Sequence, residues 1–170
     1  KQGKHIRPLL TLLCCAGTGT DWKNAIPAAI SIEMIHNFSL IHDDIEDNGL
    51  IRRGKDTVWM KWGLPQGLNA GDAMFAAAFN AIVELRNYVS EKITLDAVKL
   101  ISDTCRHLTE GQYLDIDFED RINVSQSDYL EMVKGKTAAL ISCSTRMGAL
   151  AGGFSKEEQK KYSDFGESLG

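Results

Sequence analysis

The chain has 170 residues, 44% hydrophobic and 25% charged, which is ordinary globular composition and long enough to bury a real core; a disordered chain and a collagen-like repeat are excluded. Nineteen Lys+Arg against 23 Asp+Glu give a net charge of -4, so no overall basic footprint for nucleic acid or an anionic membrane exists, and any anion must be bound locally. No apolar run approaches the ~20 residues of a membrane span, and Cys14, Cys15, Cys105 and Cys143 have neither zinc-site nor disulfide-framework spacing. A soluble protein of the reducing cytoplasm is the expectation.

Three prolines and few β-branched runs favour helix nearly throughout. Pro8 to about Ala16 reads as a short apolar helix closed by Gly17 and Gly19. Pro27 to about Asp47 carries Ile30, Met34, Ile35, Phe38 and Ile41 at spacings of three and four, with Asn48-Gly49 as a stop signal. Pro65 to about Tyr88 is crowded with Ala and Gly and reads as a central, tightly packed helix. Further helices are expected from Thr94 to Phe118 and from Ser125 to near Gly152-Gly153. Ser155-Lys156-Glu157-Glu158 is a capping box opening another. Nothing alternates with period two for long enough to make a sheet, and no linker divides residues 1–170, so one all-α unit is the economical reading.

The stretch from His36 to Asp47 holds the chemistry. On a helix, Asp43 and Asp47 point within roughly 40° of each other and lie about 6 Å apart along the axis. Mg²⁺ takes hard oxygen ligands and keeps several waters, so two carboxylates one turn apart suit it, with phosphate oxygens completing the shell. A solvated helix end is the plain alternative. Against it, like charges at i,i+4 near a helix C-terminus repel each other and oppose the macrodipole unless cations compensate. Arg52-Arg53-Gly54-Lys55 follows, and paired guanidinium groups grip diphosphate oxygens with two hydrogen bonds each. An EF-hand is rejected because its twelfth position falls on Lys55, where a bidentate Glu is required. Lys4 and Arg7 could face one anion at a helix entrance. Lys134-Gly135-Lys136-Thr137 lacks the glycine-rich loop of a P-loop.

Taken in order, these residues resemble the trans-isoprenyl diphosphate synthase (polyprenyl synthetase) family. The pattern G-K-x-x-R-P stands at Gly3 to Pro8, H-D-D-x-x-D-x4-R-R-G at His42 to Gly54, G-D at Gly71-Asp72, G-Q at Gly111-Gln112 and G-K-T at Gly135 to Thr137. The resemblance implies an all-α isoprenoid synthase-type bundle around a central cavity. It implies a homodimer with Mg²⁺ as cofactor, which extends an allylic diphosphate with isopentenyl diphosphate. By the same resemblance, Asp43 and Asp47, with Asp44 alongside, bind Mg²⁺ and the allylic diphosphate, and Arg52 contacts that diphosphate. Arg53, Lys4, Arg7 and His36 form the isopentenyl diphosphate clamp. Lys136 and Thr137 lie near the allylic diphosphate and the developing cation, and Gln112 joins the substrate contacts.

Product length is expected to depend on Phe38 and Ser39. In the family, a large aromatic residue five positions before the motif resembles a short-chain synthase making farnesyl or geranylgeranyl diphosphate. The small Ser39 tilts the reading toward geranylgeranyl, while plain core packing explains Phe38 equally well. The family's second aspartate-rich motif is absent from this sequence, so the chain reads as a partial synthase domain, incomplete at both ends. Two alternatives remain: a terpene cyclase of the same fold, which needs no second diphosphate clamp, and a noncatalytic subunit or fragment.

Overall fold

A computed structural model describes residues 3–170, and its elements follow one another as helices with a single two-stranded ribbon. Helix α1 (Ile6–Gly17) starts two residues before Pro8, which sits in the first turn where its missing N–H would have no intrahelical partner. A 3-10 turn at Trp22–Ala25, capped by the Asp21 carboxylate, leads into α2 (Ile26–Glu46) with Pro27 in its opening turn. Helix α2 ends where Asn48 takes a left-handed φ of 51°.

The buried stripe of α2 is Ala28, Ala29, Ser31, Ile32 and Ile35, and Ile30, expected in the core, is 45% exposed. Small side chains, which an apolar count passes over, decide where neighbouring helices approach and rotate the helix accordingly. Next come strands β1 (Ile51–Arg52) and β2 (Lys55–Asp56), paired antiparallel with Arg52 opposite Lys55. Arg53 (φ 54°) and Gly54 (φ 79°) both lie in the left-handed region, the signature of a type I′ hairpin turn.

Helix α3 (Val58–Trp62) and α4 (Leu64–Val83) follow, and α4 packs along α2. Gly67, Gly71 and Ala78 form its close-packed side, Gly71 lying against the His42 ring. Its other side keeps Leu64 and Leu68 exposed, so α4 is tightly packed on one flank rather than central. A 3-10 turn at Glu84–Asn87 precedes α5 (Glu91–Glu119), which Ser90 caps by accepting from the Ile93 N–H.

The helix expected from Ser125 is three pieces: α6 (Gln126–Val133), a π turn at Lys134–Ala138, and α7 (Ala139–Ala151). Both Ser125 with Asp128 and Ser155 with Glu158 form capping boxes, the second opening α8 (Lys156–Leu169). The core is Ile32 and Ile35 from α2, Ile82 from α4, Leu85, Ile101 from α5, and Leu140 and Met147 from α7, all fully buried. Removing such a side chain typically costs about 2–5 kcal/mol. This core holds the C-terminal parts of α2 and α5 and the π turn around one cavity. No helix of the described residues is long and apolar enough to cross a membrane.

Candidate active site

The C-terminal end of α2 presents its carboxylates in two directions. Asp43 faces a cavity of about 300 Å³ that is also lined by Phe38, Ser39, Gln112, Lys136 and Thr137. Asp44, about 100° around the helix, is buried and turns toward the hairpin. The type I′ turn folds Arg52 back over both: its Nε donates to Asp44 Oδ1 at 2.6 Å and one Nη donates to Asp43 Oδ2 at 2.7 Å. Burial alone would lower the Arg52 pKa, but the hydrogen bonds and charges of Asp44 and Asp43 outweigh it and raise it. Thr57 Oγ1 and Trp59 Nε1 both donate to the Gly49 carbonyl, which ties the hairpin to the end of α2.

A second cation enters from the opposite wall. Lys136, in the π turn, lies 3.3 Å from Asp43 Oδ1 and pairs with Asp115 on α5. Burial opposes its charge, yet the Asp115 hydrogen bond and the Asp43 charge raise its pKa above the ordinary lysine value. Asp47 is exposed and experiences the remaining negative potential. Partial burial, then Asp43, then Asp115 push its carboxyl above the usual range, with Lys136 and Arg52 opposing. Gln112 Nε2 donates to Glu46 Oε2 at 2.7 Å, closing the rim.

The second arginine of the pair goes elsewhere. Because the turn reverses the chain between them, Arg53 joins Gly3, Lys4, His5, Arg7, Glu33 and His36 around a second cavity of about 370 Å³. Arg7 and His36 line both cavities and form the wall between them. Arg7 Nη1 lies 3.3 Å from His36 Nε2. Burial first, then Arg7, Arg53 and Arg52, push the His36 imidazole down to about 4, Glu33 opposing, so near neutrality the ring is uncharged and its Nε2 accepts from Arg7. Arg7 Nε is buried without a partner among the described residues, as a donor reserved for an anion would be.

His36 makes a pH test possible. A histidine whose folded pKa is depressed binds fewer protons folded than unfolded between about 4 and 6.5, so its contribution to stability is complete above 6.5 and shrinks as the pH falls through that window. We expect His36→Gln to lose less stability than wild type between pH 7 and pH 5. Urea midpoints at the two pH values check this, and parallel losses would contradict it.

The floor of the first cavity is aromatic. Phe38 packs edge-on or tilted between His42, with ring centroids 4.9 Å apart, and Phe75 of α4 at 5.0 Å, and Phe79 continues the row edge-on at 5.1 Å. Ser39 lines the cavity while its hydroxyl donates to the His36 carbonyl. Phe38 therefore serves both packing and the cavity surface.

Of the expected site residues, Asp43, Phe38, Ser39, Gln112, Lys136 and Thr137 line the first cavity, Lys4 and Arg53 the second, and Arg7 and His36 both; Asp44, Asp47 and Arg52 line neither, Arg52 meeting the first only through its hydrogen bond to Asp43. Two that the motif spacing did not single out are Asp115 and Phe75. Asp115 follows Gly111 by one helical turn on α5, so an acid at that spacing after G-Q was the available signal. Phe75 had none, since it touches Phe38 only across the α2–α4 interface.

The donor set suits Mg²⁺. Asp43 in the last turn of α2 and Asp47 at its C-cap offer hard oxygens, and an ion that keeps waters and takes phosphate ligands needs few protein carboxylates. Among the described residues no three His, Cys, Asp or Glu side chains already converge as a closed metal cage, and Arg52 and Lys136 hold Asp43 meanwhile.

The polyprenyl synthetase family model matches residues 1–170, and the chain belongs to that family. It is 45% identical over 168 residues to a short chain isoprenyl diphosphate synthase of Methanothermobacter thermautotrophicus, covering 99% of this chain and 51% of the relative. It is 40% identical, again over 99% of this chain and 51% of the relative, to a geranylgeranyl diphosphate synthase of Methanosarcina mazei. A crystal structure of a geranylgeranyl pyrophosphate synthase superposes with a TM-score of 0.95 at 41% identity, covering 99% of this chain and 50% of that one. The chain thus spans about half the length of the curated relatives it matches.

Proposed function

We propose that the protein carrying this chain is a trans-prenyltransferase that condenses isopentenyl diphosphate with an allylic diphosphate, head to tail. The observation that carries this reading is the pair of cavities sharing the Arg7–His36 wall, one cation-rich apart from Glu33 and the other setting Asp43 and Glu46 beside Lys136, with Arg52 reaching it through Asp43. A diphosphate binds directly in the first. In the second, a divalent cation held by Asp43 and Asp47 would offset the charge of the acids that a diphosphate meets there. Family membership and relatives whose names specify geranylgeranyl and short-chain isoprenyl diphosphate synthesis support the same reading.

In this mechanism Asp43 and Asp47 would hold Mg²⁺, which would supply positive charge toward the leaving diphosphate. Arg52, held in place by buried Asp44, and Lys136 donate to the remaining oxygens as the C–O bond breaks, an electrostatic contribution aimed at developing charge. Thr137 and the cavity wall face the allylic cation left behind. Lys4, Arg7 and Arg53 hold the second substrate by its diphosphate, with His36 fixing Arg7, so that its double bond meets the cation. Its proton then leaves to the released diphosphate. Gln112, braced by Glu46, closes the rim beside the departing group. Placing two substrates accounts for much of the barrier reduction. Phe38 and Ser39 bound the growing chain, in keeping with a geranylgeranyl or farnesyl product. A homodimer is the assembly we expect, and the four free thiols suit a reducing cytoplasm.

The test is incorporation of labelled isopentenyl diphosphate by the complete protein, with geranyl or farnesyl diphosphate as primer and with Mg²⁺ present or chelated. Elongated diphosphate formed only with metal is expected; cyclised hydrocarbon from the primer alone would replace the reading with a terpene cyclase, and no turnover with a homologous chain activated instead would indicate a noncatalytic subunit. Arg53→Ala is expected to raise the KM for isopentenyl diphosphate about 10-fold or more, as loss of a charge-assisted anion contact does, and to leave that of the allylic substrate within about twofold. Equal effects on both substrates would contradict the separation of the two cavities.

A further inference from the structure

Helix α5 and the π turn at Lys134–Ala138 touch backbone to backbone. A Cβ on Gly111 would sit 2.6 Å from the Gly135 carbonyl carbon and 2.8 Å from its Cα, and a Cβ on Gly135 would sit 2.8 Å from the Gly111 Cα and 2.9 Å from the His107 carbonyl oxygen. Side chains do not tolerate backbone at such distances, so only glycine at both positions permits this crossing. Where the two backbones meet, the helix widens: the Ala139 N–H reaches back to the Lys134 carbonyl in the π pattern. Such single wide turns inside a helix re-aim the residues they contain.

The residues re-aimed here are Lys136 and Thr137, and both line the cavity that Asp43 faces. One turn past Gly111 on α5 stands Asp115, which pairs with Lys136. The glycine contact, the wide turn and the ion pair therefore form one small triangle whose free corner is the Lys136 ammonium, 3.3 Å from Asp43.

We propose that Gly111 and Gly135 are positioning residues for catalysis, their contact setting the distance between α5 and the π turn at which Asp115 can hold Lys136 against Asp43 and the allylic diphosphate. Resting on the prenyltransferase reading, this adds a role for two residues that touch no substrate. A methyl group at either position pushes the turn away from α5, and Lys136 moves with it. In the isolated helix alanine is the better helix former, so any loss comes from the crossing and not from α5 itself. The isopentenyl diphosphate clamp, built from α1, α2 and the hairpin, stays where it is.

The experiment is a pair of double-mutant cycles in the complete protein. The first compares Gly111→Ala, Lys136→Ala and the double variant in kcat and in the KM of each substrate. A misplacement of about 1 Å costs about 100-fold in rate, so kcat of Gly111→Ala is expected to fall by about 10- to 100-fold with the KM for isopentenyl diphosphate within about twofold. The double variant is expected to match Lys136→Ala alone, because a lysine that is gone cannot be misplaced. The second cycle uses urea unfolding without substrate and measures the coupling between Lys136 and Asp115 with Lys136→Ala and Asp115→Ala, once in wild type and once with Gly111→Ala added. That coupling is expected to vanish in the second background. Multiplying effects in the first cycle, or a coupling unchanged in the second, would overturn the proposal. A wild type that binds but never elongates would defeat the prenyltransferase reading instead, and the unfolding cycle would still decide this one. If Gly111→Ala shows no cooperative unfolding, Gly135→Ala takes its place; failure of both to fold would assign the contact to folding and overturn its positioning role.

Discussion

Replacing Asp47 by asparagine is expected to make the metal-free protein slightly more stable and the enzyme at least about 100-fold slower. The activity loss follows from removing one of the two carboxylates proposed to hold the cation, since even outer partners of metal ligands typically account for about 10- to 100-fold. The stability gain follows from the sign of the shift at this group. Partial burial and the charges of Asp43 and Asp115 raise the Asp47 pKa, so above that pKa its ionised form destabilises the fold, and the penalty is relieved as the pH falls. Because the side chain is exposed, solvent screens the effect to about a few tenths of a kcal/mol. Urea midpoints in EDTA at pH 7, set beside kcat in Mg²⁺, check both halves. A variant that is less stable without metal and equally active would show that Asp47 is an ordinary surface acid.

Phe38→Ala is expected to lengthen the product by at least one isoprene unit. The ring closes the floor of the first cavity and is held there by His42 on one side and Phe75 on the other, so its loss opens the cavity toward the α2–α4 interface. Phe38 is only half-buried, so its removal costs less than the about 3–5 kcal/mol of a fully buried phenylalanine, and the variant is expected to remain folded. Chromatography of the dephosphorylated products reads the result directly. An unchanged product distribution in a folded, active variant would make Phe38 a packing residue and move the length control elsewhere in the cavity.

The outcome depends on a ring whose role the sequence left divided between core and cavity, and the structure shows why. Phe38 packs against Phe75, as a core residue does, and lines open volume, as a specificity residue does. Helical periodicity cannot separate these because both faces are apolar. The same blindness put Ile30 into the core, since periodicity weighs Ala28, Ala29 and Ser31 too lightly to reveal that the helix turns its small side inward. Where the signal was local, it was sufficient: Ser155 with Glu158 forms the capping box that four residues announce, and Asp43 falls in the last turn of α2 with Asp47 as its C-cap.

Features made by long-range contact were out of reach. The hairpin has two residues per strand, below any alternation that could be recognised, yet it sends Arg52 to the acids and Arg53 to the other cavity. The adjacent arginines read as a pair, and the turn makes them members of different sites. Likewise the π turn needs Gly111 from a helix far off in sequence, and Asp115 acquires its partner only when that crossing forms.

The central claim is that two diphosphates bind side by side across the Arg7–His36 wall and that only one of them requires a metal. Calorimetric titration of the complete protein with isopentenyl diphosphate, and separately with a non-cleavable allylic diphosphate analogue, each with Mg²⁺ and with EDTA, tests it most directly. The isopentenyl diphosphate affinity is expected to change little with metal, and the allylic analogue to bind far more weakly in EDTA. Equal dependence of both ligands on Mg²⁺, or independence of both, would contradict it.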